Sequence, residues 1–288
     1  MVWPWQDRNG RWSWLKAGTF ALIVSPAVRF TYEVVTGEYG IMPIALGGMV
    51  YWSGVWATLI LLLTLAVTPV LTILRWRALV DVRRMIGVTA FVYTIAHIVI
   101  WFAMRSWNFA VIANETVTRL TLVVATLSTV GLIALGATSL DAAIRRLGAQ
   151  NWQRLHSTNY LITGLAVLHV VTARGNYPEQ YLLAGLFFWL MAWRGLARYR
   201  LGADVKALAL LALTACLFTA LLEAYCMWVR RGYGWLGTLG HNFNPAMIEV
   251  GVPAPWQVLA FGLLFMLAAA GRDVLRVKTV SVTARQPG

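Results

Sequence analysis

Residues 85–103 read MIGVTAFVYTIAHIVIWFA, an apolar run with one ionisable side chain, His97, well inside it. Arg83 and Arg84 precede the run, and Arg105 follows it. A helix rises about 1.5 Å per residue, so ~20 apolar residues cross the ~30 Å hydrocarbon core of a bilayer. The segment therefore predicts a transmembrane helix that carries an imidazole in its interior.

Similar apolar runs occur along the rest of the chain. Of the 288 residues, 59% are hydrophobic and 12% are charged, and the mean hydropathy is +0.67, which excludes an ordinary soluble domain. The predicted fold class is all-α, a polytopic transmembrane helix bundle. The segment 228–254 is rich in Gly and Pro and is predicted to be an irregular outer loop. Eight spans are predicted, at 15–35, 52–73, 85–103, 119–138, 155–173, 180–197, 206–227 and 255–271.

The positive charges predict an orientation for this bundle. The net charge is +13, and 18 of the 24 Lys and Arg residues lie in the N-terminal stretch, in the second, fourth and sixth connections and in the C-terminal tail. Cytoplasmic loops carry such an excess, so both termini are predicted to face the cytoplasm. Because the charges lie between apolar runs, they indicate membrane topology and not a nucleic-acid partner. No A-x-A cleavage site follows the basic start, so the first helix is predicted to be retained.

Two of the four histidines, His97 and His169, lie inside predicted spans. Each follows the predicted start of an outward-running helix by about 12 to 14 residues, which predicts a common height of about 18 to 21 Å. Ionisable groups inside a bilayer indicate function. Two imidazoles at one depth suit the axial coordination of a b-type haem between helices. The alternative is two independent histidines, each satisfied by a neighbouring hydroxyl or backbone group.

A second pair of residues repeats this spacing, because Arg84 precedes His97 by 13 residues and His156 precedes His169 by 13 residues. This predicts a lower level about 20 Å from the first, although 13 residues leave two positions about 140° apart around a helix. Arg84 is either a topology anchor or the partner of a haem propionate or flavin phosphate. His156 is either a solvated interfacial residue or a further ligand. His241 is predicted to be a surface residue.

Residues 67–102 and 134–171 resemble the ferric-reductase-like transmembrane family. More narrowly, they resemble the haem-binding membrane subunits of the bacterial protein-methionine-sulfoxide reductase system, with coverage from about residue 11 to residue 200. The matching residues are Thr68, Pro69, Arg83, Arg84, Gly87, His97, Thr138, Ser139, Arg146, Leu147, Gly148, Trp152, Gln153, Leu155, His156, Tyr160 and His169, with WLK at 14–16.

The resemblance implies a six-helix core that binds haem b over residues 1–200, followed by a two-span extension with an outer loop over residues 201–288. It implies that His97 and His169 are the axial ligands and that His156 is a further histidine for haem iron. It also implies FMN, for which Arg84 is the suggested binding residue. The two-haem oxidases of this superfamily have a histidine where Arg84 stands, so the lower site is predicted to hold either a haem with an unusual ligand or a flavin.

The implied function is electron transfer in the bacterial inner membrane. Electrons would come from a cytoplasmic flavin reductase or the quinone pool and pass to a periplasmic molybdopterin methionine-sulfoxide reductase, which repairs oxidised periplasmic proteins. The chain would not itself be the catalytic reductase. From Arg272 the sequence reads RDVLRVKTVSVTARQPG and lacks a GxGxxG turn, so electrons are expected from another molecule. The alternatives are a stand-alone transmembrane ferric or quinone reductase and, from another class, a transporter or membrane scaffold.

Overall fold

The computed structural model describes residues 3–7, 9–38, 44–173, 175 and 177–283, with side chains described as far as residue 274. Within these ranges the regular structure is helical, apart from one isolated bridge between Gln6 and Trp12. The predicted all-α fold class is confirmed. Two of the charges predicted to be cytoplasmic, Arg8 and Arg285, lie outside the described residues.

The described part of the chain contains long apolar helices separated by short ones. Two 3₁₀ helices, Arg77–Leu79 and Pro245–Glu249, occur in the connections. The α-helices are α1 (Trp14–Val35), α2 (Ile44–Leu74), α3 (Val80–Met104), α4 (Phe109–Thr118), α5 (Leu120–Ala137), α6 (Asp141–Leu147), α7 (Ala149–Ser157), α8 (Asn159–Thr172), α9 (Pro178–Arg198), α10 (Val205–Arg231), α11 (Trp235–Asn242) and α12 (Ala254–Thr283).

Five of the described helices are long and apolar enough to cross a membrane. They coincide with five of the eight predicted spans, and the other three predicted spans fall on α1, on α7 with α8, and on α9. α2 begins eight residues before the predicted start because its first turns, IALGGMVY, are apolar as well. The helices that meet this criterion of length and hydropathy are Ala45–Leu74, Arg77–Met104, Leu120–Ala137, Val205–Arg231 and Ala254–Val274.

The predicted span 155–173 is divided in the structure between α7 and α8. At the division the hydroxyls of Ser157 and Thr158 donate to carbonyls three residues earlier, at 2.6 and 2.7 Å. Such bonds compete with the hydrogen bonds of the helix and often bend it. His156 therefore belongs to the polar helix α7, and His169 belongs to the apolar helix α8.

The chain divides into two compact units. The N-terminal unit comprises Met1–Leu65 and Ala78–Arg174, and the C-terminal unit comprises Ala66–Arg77 and Gly175–Gly288. The first part of α2 thus belongs to the N-terminal unit, together with α1 and α3 to α8. The end of α2 belongs to the C-terminal unit, together with α9 to α12.

In the N-terminal unit, α5 lies against both α3 and α8. Small residues permit the close approach, since a Cβ at Gly131 would lie 2.7 Å from the Ile162 side chain and one at Gly136 would lie 3.1 Å from the Phe91 ring. Ser128 Oγ donates to the Ile162 carbonyl at 3.0 Å. Because small residues and hydrogen bonds hold helices together in lipid, α5 fixes the spacing of the two helices that carry His97 and His169.

In the C-terminal unit, α9, α10 and α12 pack against one another. Trp189 of α9 is 0% exposed, and its ring lies 5.1 Å from that of Phe261 and 4.7 Å from that of Phe265 on α12. A Cβ at Gly262 would lie 2.6 Å from the Cβ of Ala212 on α10. The core of this unit therefore consists of interlocked side chains and closely spaced helix backbones.

The structure corrects the prediction of an irregular segment at 228–254. α10 continues to Arg231 and ends at Gly232, which has a left-handed φ of 69°. α11 and a 3₁₀ helix occupy much of the remainder. Buried Asn242 explains this order, because its side chain donates to the Glu223 carboxylate at 3.0 Å and its carbonyl accepts from Trp256 Nε1 at 2.8 Å. Tertiary contacts thus override the loop-like composition.

Candidate functional site

His97 of α3 forms a hydrogen bond with α2. Its Nδ1 atom lies 3.1 Å from Ser53 Oγ, and the Ser53 hydroxyl in turn lies 3.1 Å from the Val50 carbonyl. A hydroxyl has one proton and a carbonyl can only accept, so Ser53 donates to Val50 and accepts from the Nδ1–H of His97. This network assigns the tautomer in which Nε2 of His97 carries the lone pair.

Gly54 allows the His97 ring to lie against the backbone of α2. A Cβ at this position would lie 3.0 Å from Cε1 of the ring and 3.2 Å from Nδ1. Glycine in a transmembrane helix commonly marks such a close approach. Ser53 and Gly54 therefore fix both the orientation and the position of the imidazole.

His169 of α8 is oriented by α5. Its Nδ1 atom lies 3.0 Å from the Thr121 carbonyl, which accepts hydrogen bonds and cannot donate them. The Thr121 hydroxyl donates to the Thr172 carbonyl at 3.4 Å and adds a second contact between the two helices. Nδ1 of His169 must therefore carry the proton, and Nε2 again carries the lone pair.

Both histidines are half-buried and belong to the N-terminal unit. α3 begins five residues before its predicted start and α8 begins four residues after its own, so the two histidines do not follow their helix starts by equal distances. Their rings are nevertheless close enough to interact electrostatically. The structure thus brings together the two imidazoles that the sequence singles out.

This donor set fits haem. A histidine that binds a metal usually donates its other ring N–H to a carbonyl or similar acceptor, and His97 and His169 both do so. No described residue forms a hydrogen bond with either Nε2 atom. In the described part of the chain no three His, Cys, Asp or Glu side chains come together. Two histidines suit a group such as haem, whose porphyrin supplies the other four nitrogen ligands of the iron.

His156 lies in a different environment, at the end of α7. Its ring stacks on that of Trp152 at 4.1 Å, and its Nε2 atom lies 3.3 Å from Thr138 Oγ1. The Thr138 hydroxyl donates to the Ala134 carbonyl at 2.8 Å, so it accepts from Nε2–H of His156. Arg83 lies close enough for its charge to act on this ring. A metal bond through Nε2 would require His156 to leave Thr138.

Arg84 and His241 are the remaining residues that the sequence singles out. Arg84 forms an ion pair with Asp141 of α6, and both side chains are at least half exposed. His241 is exposed on α11, in the C-terminal unit.

Three residues of this site, Ser53, Gly54 and Thr121, were not identified from the sequence. A Ser-Gly pair inside a long apolar span was an available signal, because serine supplies hydrogen bonds and glycine permits close approach in transmembrane helices. Thr121 acts through its carbonyl. Every residue has one, so the sequence offers no signal for this contact.

Known proteins resemble much of this chain. The sequence model of the family described as ferric reductase like transmembrane component matches residues 53–167. The protein-methionine-sulfoxide reductase haem-binding subunit MsrQ of Polaromonas naphthalenivorans is 34% identical over 195 residues, which are 64% of this chain and 88% of that protein. MsrQ of Azospira oryzae is 31% identical over 190 residues, 65% of this chain and 81% of that protein.

The magnetosome protein MamZ of Paramagnetospirillum magneticum is 30% identical over 191 residues. These cover 66% of this chain and 29% of MamZ, so this relative is much the longer protein. No solved structure matches the chain.

Proposed function

The chain belongs to the ferric-reductase-like transmembrane family and, within it, to the haem-binding subunits of protein-methionine-sulfoxide reductase; on this premise we propose that it binds haem b and transfers electrons. It is a multi-pass protein of the bacterial inner membrane. The observation that carries the proposal is the pair of half-buried imidazoles, each with Nδ1–H bound to an acceptor and Nε2 available to a metal.

In this proposal His97 and His169 hold the haem through their Nε2 atoms. Ser53 and the Thr121 carbonyl keep the two rings in the required tautomer and orientation. Haem held by these two histidines would supply one-electron transfer between its ferrous and ferric states.

Six helices of residues 1–200 form the haem-binding core, with both termini in the cytoplasm, and residues 201–288 add two further spans. The distribution of Lys and Arg supports this orientation. Electrons enter from a cytoplasmic flavin reductase or from the quinone pool and leave towards the periplasm. The acceptor is a periplasmic molybdopterin subunit, where two electrons and two protons convert methionine sulfoxide to methionine and water.

His156 and Arg84 form a second, lower part of the proposed site. His156 would serve as a further haem ligand if it exchanged its bond with Thr138 for one to iron. Arg84 would bind an anionic group of haem or FMN if it exchanged its ion pair with Asp141.

A difference spectrum tests the haem proposal. The protein is purified in detergent, and its spectrum is recorded in the oxidised and reduced states. We expect b-type bands in the wild-type protein and their loss in His97→Ala and His169→Ala, because each variant removes one of the two imidazoles that would hold the haem. His241→Ala, a matched histidine on the exposed helix α11, should retain the bands. Absence of b-type bands from the wild-type protein, or bands unchanged in both ligand variants, would refute the proposal.

A separate experiment tests the partner. Deletion of the gene should abolish repair of oxidised methionine in periplasmic proteins, and expression of the wild-type chain should restore it. If repair continues at the normal rate in the deletion strain, the chain serves another electron acceptor.

A further inference from the structure

A cavity of about 250 Å³ lies in the N-terminal unit, between the second half of α1 with the turn that follows it and the first half of α2. No residue of the proposed haem site lines it. The cavity is therefore a separate feature of this unit. Its lining includes three aromatic side chains, Phe30, Trp52 and Trp56, and three charged side chains, Arg29, Glu33 and Glu38.

The aromatic side chains form walls on two sides of the cavity. Trp52 and Trp56 are four residues apart on α2 and so lie on one face of that helix, while Phe30 belongs to α1. The faces of aromatic rings attract organic cations, and aromatic cages recognise quaternary and methylated ammonium groups in this way. These walls therefore favour a ligand that carries an organic ammonium group.

Among the lining residues that the structure describes, acidic groups outnumber basic ones, since two carboxylates accompany one guanidinium. Arg29 Nε donates to Glu33 Oε1 at 2.6 Å. The Glu33 side chain is 16% exposed, whereas that of Arg29 is 76% exposed. A carboxylate accepts several hydrogen bonds at once, so Glu33 can bind an ammonium group while it remains paired with Arg29. The exposed guanidinium lies at the rim, where it can meet an anionic group.

The depth and size of the cavity suit a lipid head group. Trp52 lies about 12 Å along α2 from the start of that helix, and tryptophan is enriched where membrane proteins meet the head groups. The volume, about 250 Å³, is below the ~300–1,000 Å³ of pockets that enclose drug-sized ligands. A small head group can therefore occupy the cavity while its acyl chains stay in the bilayer.

We propose that this cavity binds the head group of an ethanolamine phospholipid. The ammonium group lies against Trp52 and Trp56 and donates hydrogen bonds to Glu33 and Glu38. The phosphate lies beside Arg29, whose planar group suits phosphate oxygens. A glycerol head group lacks the cation that this lining selects. Because the cavity shares no residue with the haem site, the proposal stands or falls independently of the proposed function.

Native mass spectrometry of the full-length protein tests the proposal. The protein is placed in nanodiscs with equal amounts of phosphatidylethanolamine and phosphatidylglycerol, released, and examined for bound lipid. We expect the wild-type protein to retain phosphatidylethanolamine in preference to phosphatidylglycerol. Equal retention of the two lipids by the wild-type protein would overturn the proposal, whatever the variants do.

Substitutions of cavity residues test whether the lipid binds in this cavity. Trp56→Ala and Glu33→Gln should each weaken phosphatidylethanolamine retention by about 3- to 30-fold, as expected for the loss of a desolvated cation contact. The matched controls Trp14→Ala and Glu249→Gln change exposed residues outside the cavity and should leave retention unchanged. Retention unchanged in both cavity variants would place the lipid elsewhere and overturn the proposal.

Soluble phosphoethanolamine distinguishes a lipid from a free head group. It should fail to displace the lipid at equal concentration, because it lacks the acyl chains that keep the lipid in the membrane beside the cavity. Displacement at equal concentration would assign the cavity to the free molecule, and the lipid assignment would be wrong.

Discussion

The two compact units of this chain are packed in different ways. In the C-terminal unit, Tyr181, Trp189 and Trp193 are at most 2% exposed, and 39% of the most apolar stretch of α10 is buried. In the N-terminal unit, the same measure is 11% for α3, which carries His97, and 17% for α5, against 61% for α2, most of which belongs to this unit.

This difference indicates different sources of stability. The C-terminal helices interlock through bulky side chains, whereas α5 lies closely against α8 and α3 at small residues such as Gly131, Gly136 and Ser128. In lipid, helices associate through packing and hydrogen bonds and not through the hydrophobic effect. Most of the apolar stretch of α3 is not buried by other helices, and a cofactor bonded to α3 and α8 would add a connection between these two helices.

The largest expected difference between the two units follows from removal of haem. A ligand that binds only the native state, at a concentration 1,000 times its Kd, stabilises that state by about 4 kcal/mol. We expect amide hydrogens of α3, α5 and α8 to exchange faster in the haem-free protein, with no change in α10 and α12. Hydrogen-exchange mass spectrometry of both forms measures this. An equal acceleration of amide exchange in both units would contradict a selective stabilisation of α3, α5 and α8 by haem.

The next largest effects are expected from two glycine substitutions, one in each unit. Gly262→Ala places a Cβ 2.9 Å from the backbone Cα of Ala212, and such overpacking costs about 1–3 kcal/mol. We expect a lower thermal midpoint with unchanged haem bands. Gly54→Ala meets the ring of His97 instead, so we expect altered bands with nearly normal stability. Thermal unfolding and absorption spectra measure both effects. If both variants changed the thermal midpoint and the haem bands alike, the two units would not differ in the predicted way.

Ser53→Ala should weaken haem binding about 10- to 100-fold, the usual effect of removing a hydrogen-bond partner from a metal-bound histidine. Thr58→Ala is the matched control. It removes another buried hydroxyl of α2, which donates to the Gly54 carbonyl at 2.9 Å and does not contact His97. Haem titration of the two variants measures the difference. Equal affinities would mean that Ser53 has no special role towards His97.

The smallest effect is expected at the surface of the N-terminal unit. Arg84→Ala and Asp141→Ala break the same exposed ion pair, and each should cost about 0.2–1 kcal/mol. If Arg84 also binds an anionic cofactor group, Arg84→Ala will lower cofactor content and Asp141→Ala will not. Urea unfolding and cofactor quantification of both variants check this. A larger loss of stability in either variant would contradict a solvent-screened pair.

The sequence predicted the long helices better than the contacts between them. Apolar length alone located α3, α5 and α10 within a few residues, because lipid selects for length and hydropathy. The break before α8 depends on two hydroxyls that turn back onto their own helix, and α11 depends on buried Asn242. Tertiary geometry decides such features, so composition alone could not predict them.

In the candidate site, too, the sequence predicted features of single helices better than contacts between helices. His97 and His169 were predicted because imidazoles are unusual inside apolar spans. Their partners were not, because Ser53 lies 44 residues from His97 along the chain and the partner of His169 is a backbone carbonyl. Which residues face each histidine depends on helix packing, which spacing within a single helix does not specify.

Ser53 Oγ and the Thr121 carbonyl accept the Nδ1–H hydrogen bonds of His97 and His169, and their chemistry has a further consequence. A serine hydroxyl and a peptide carbonyl do not ionise at physiological pH, unlike the carboxylate that accompanies many metal-bound histidines. In the proposed haem site, His97 and His169 would therefore keep their Nδ1 protons when the oxidation state of the iron changes. Electrons would cross this part of the membrane without accompanying protons, and the protons needed for sulfoxide reduction would be taken up on the periplasmic side.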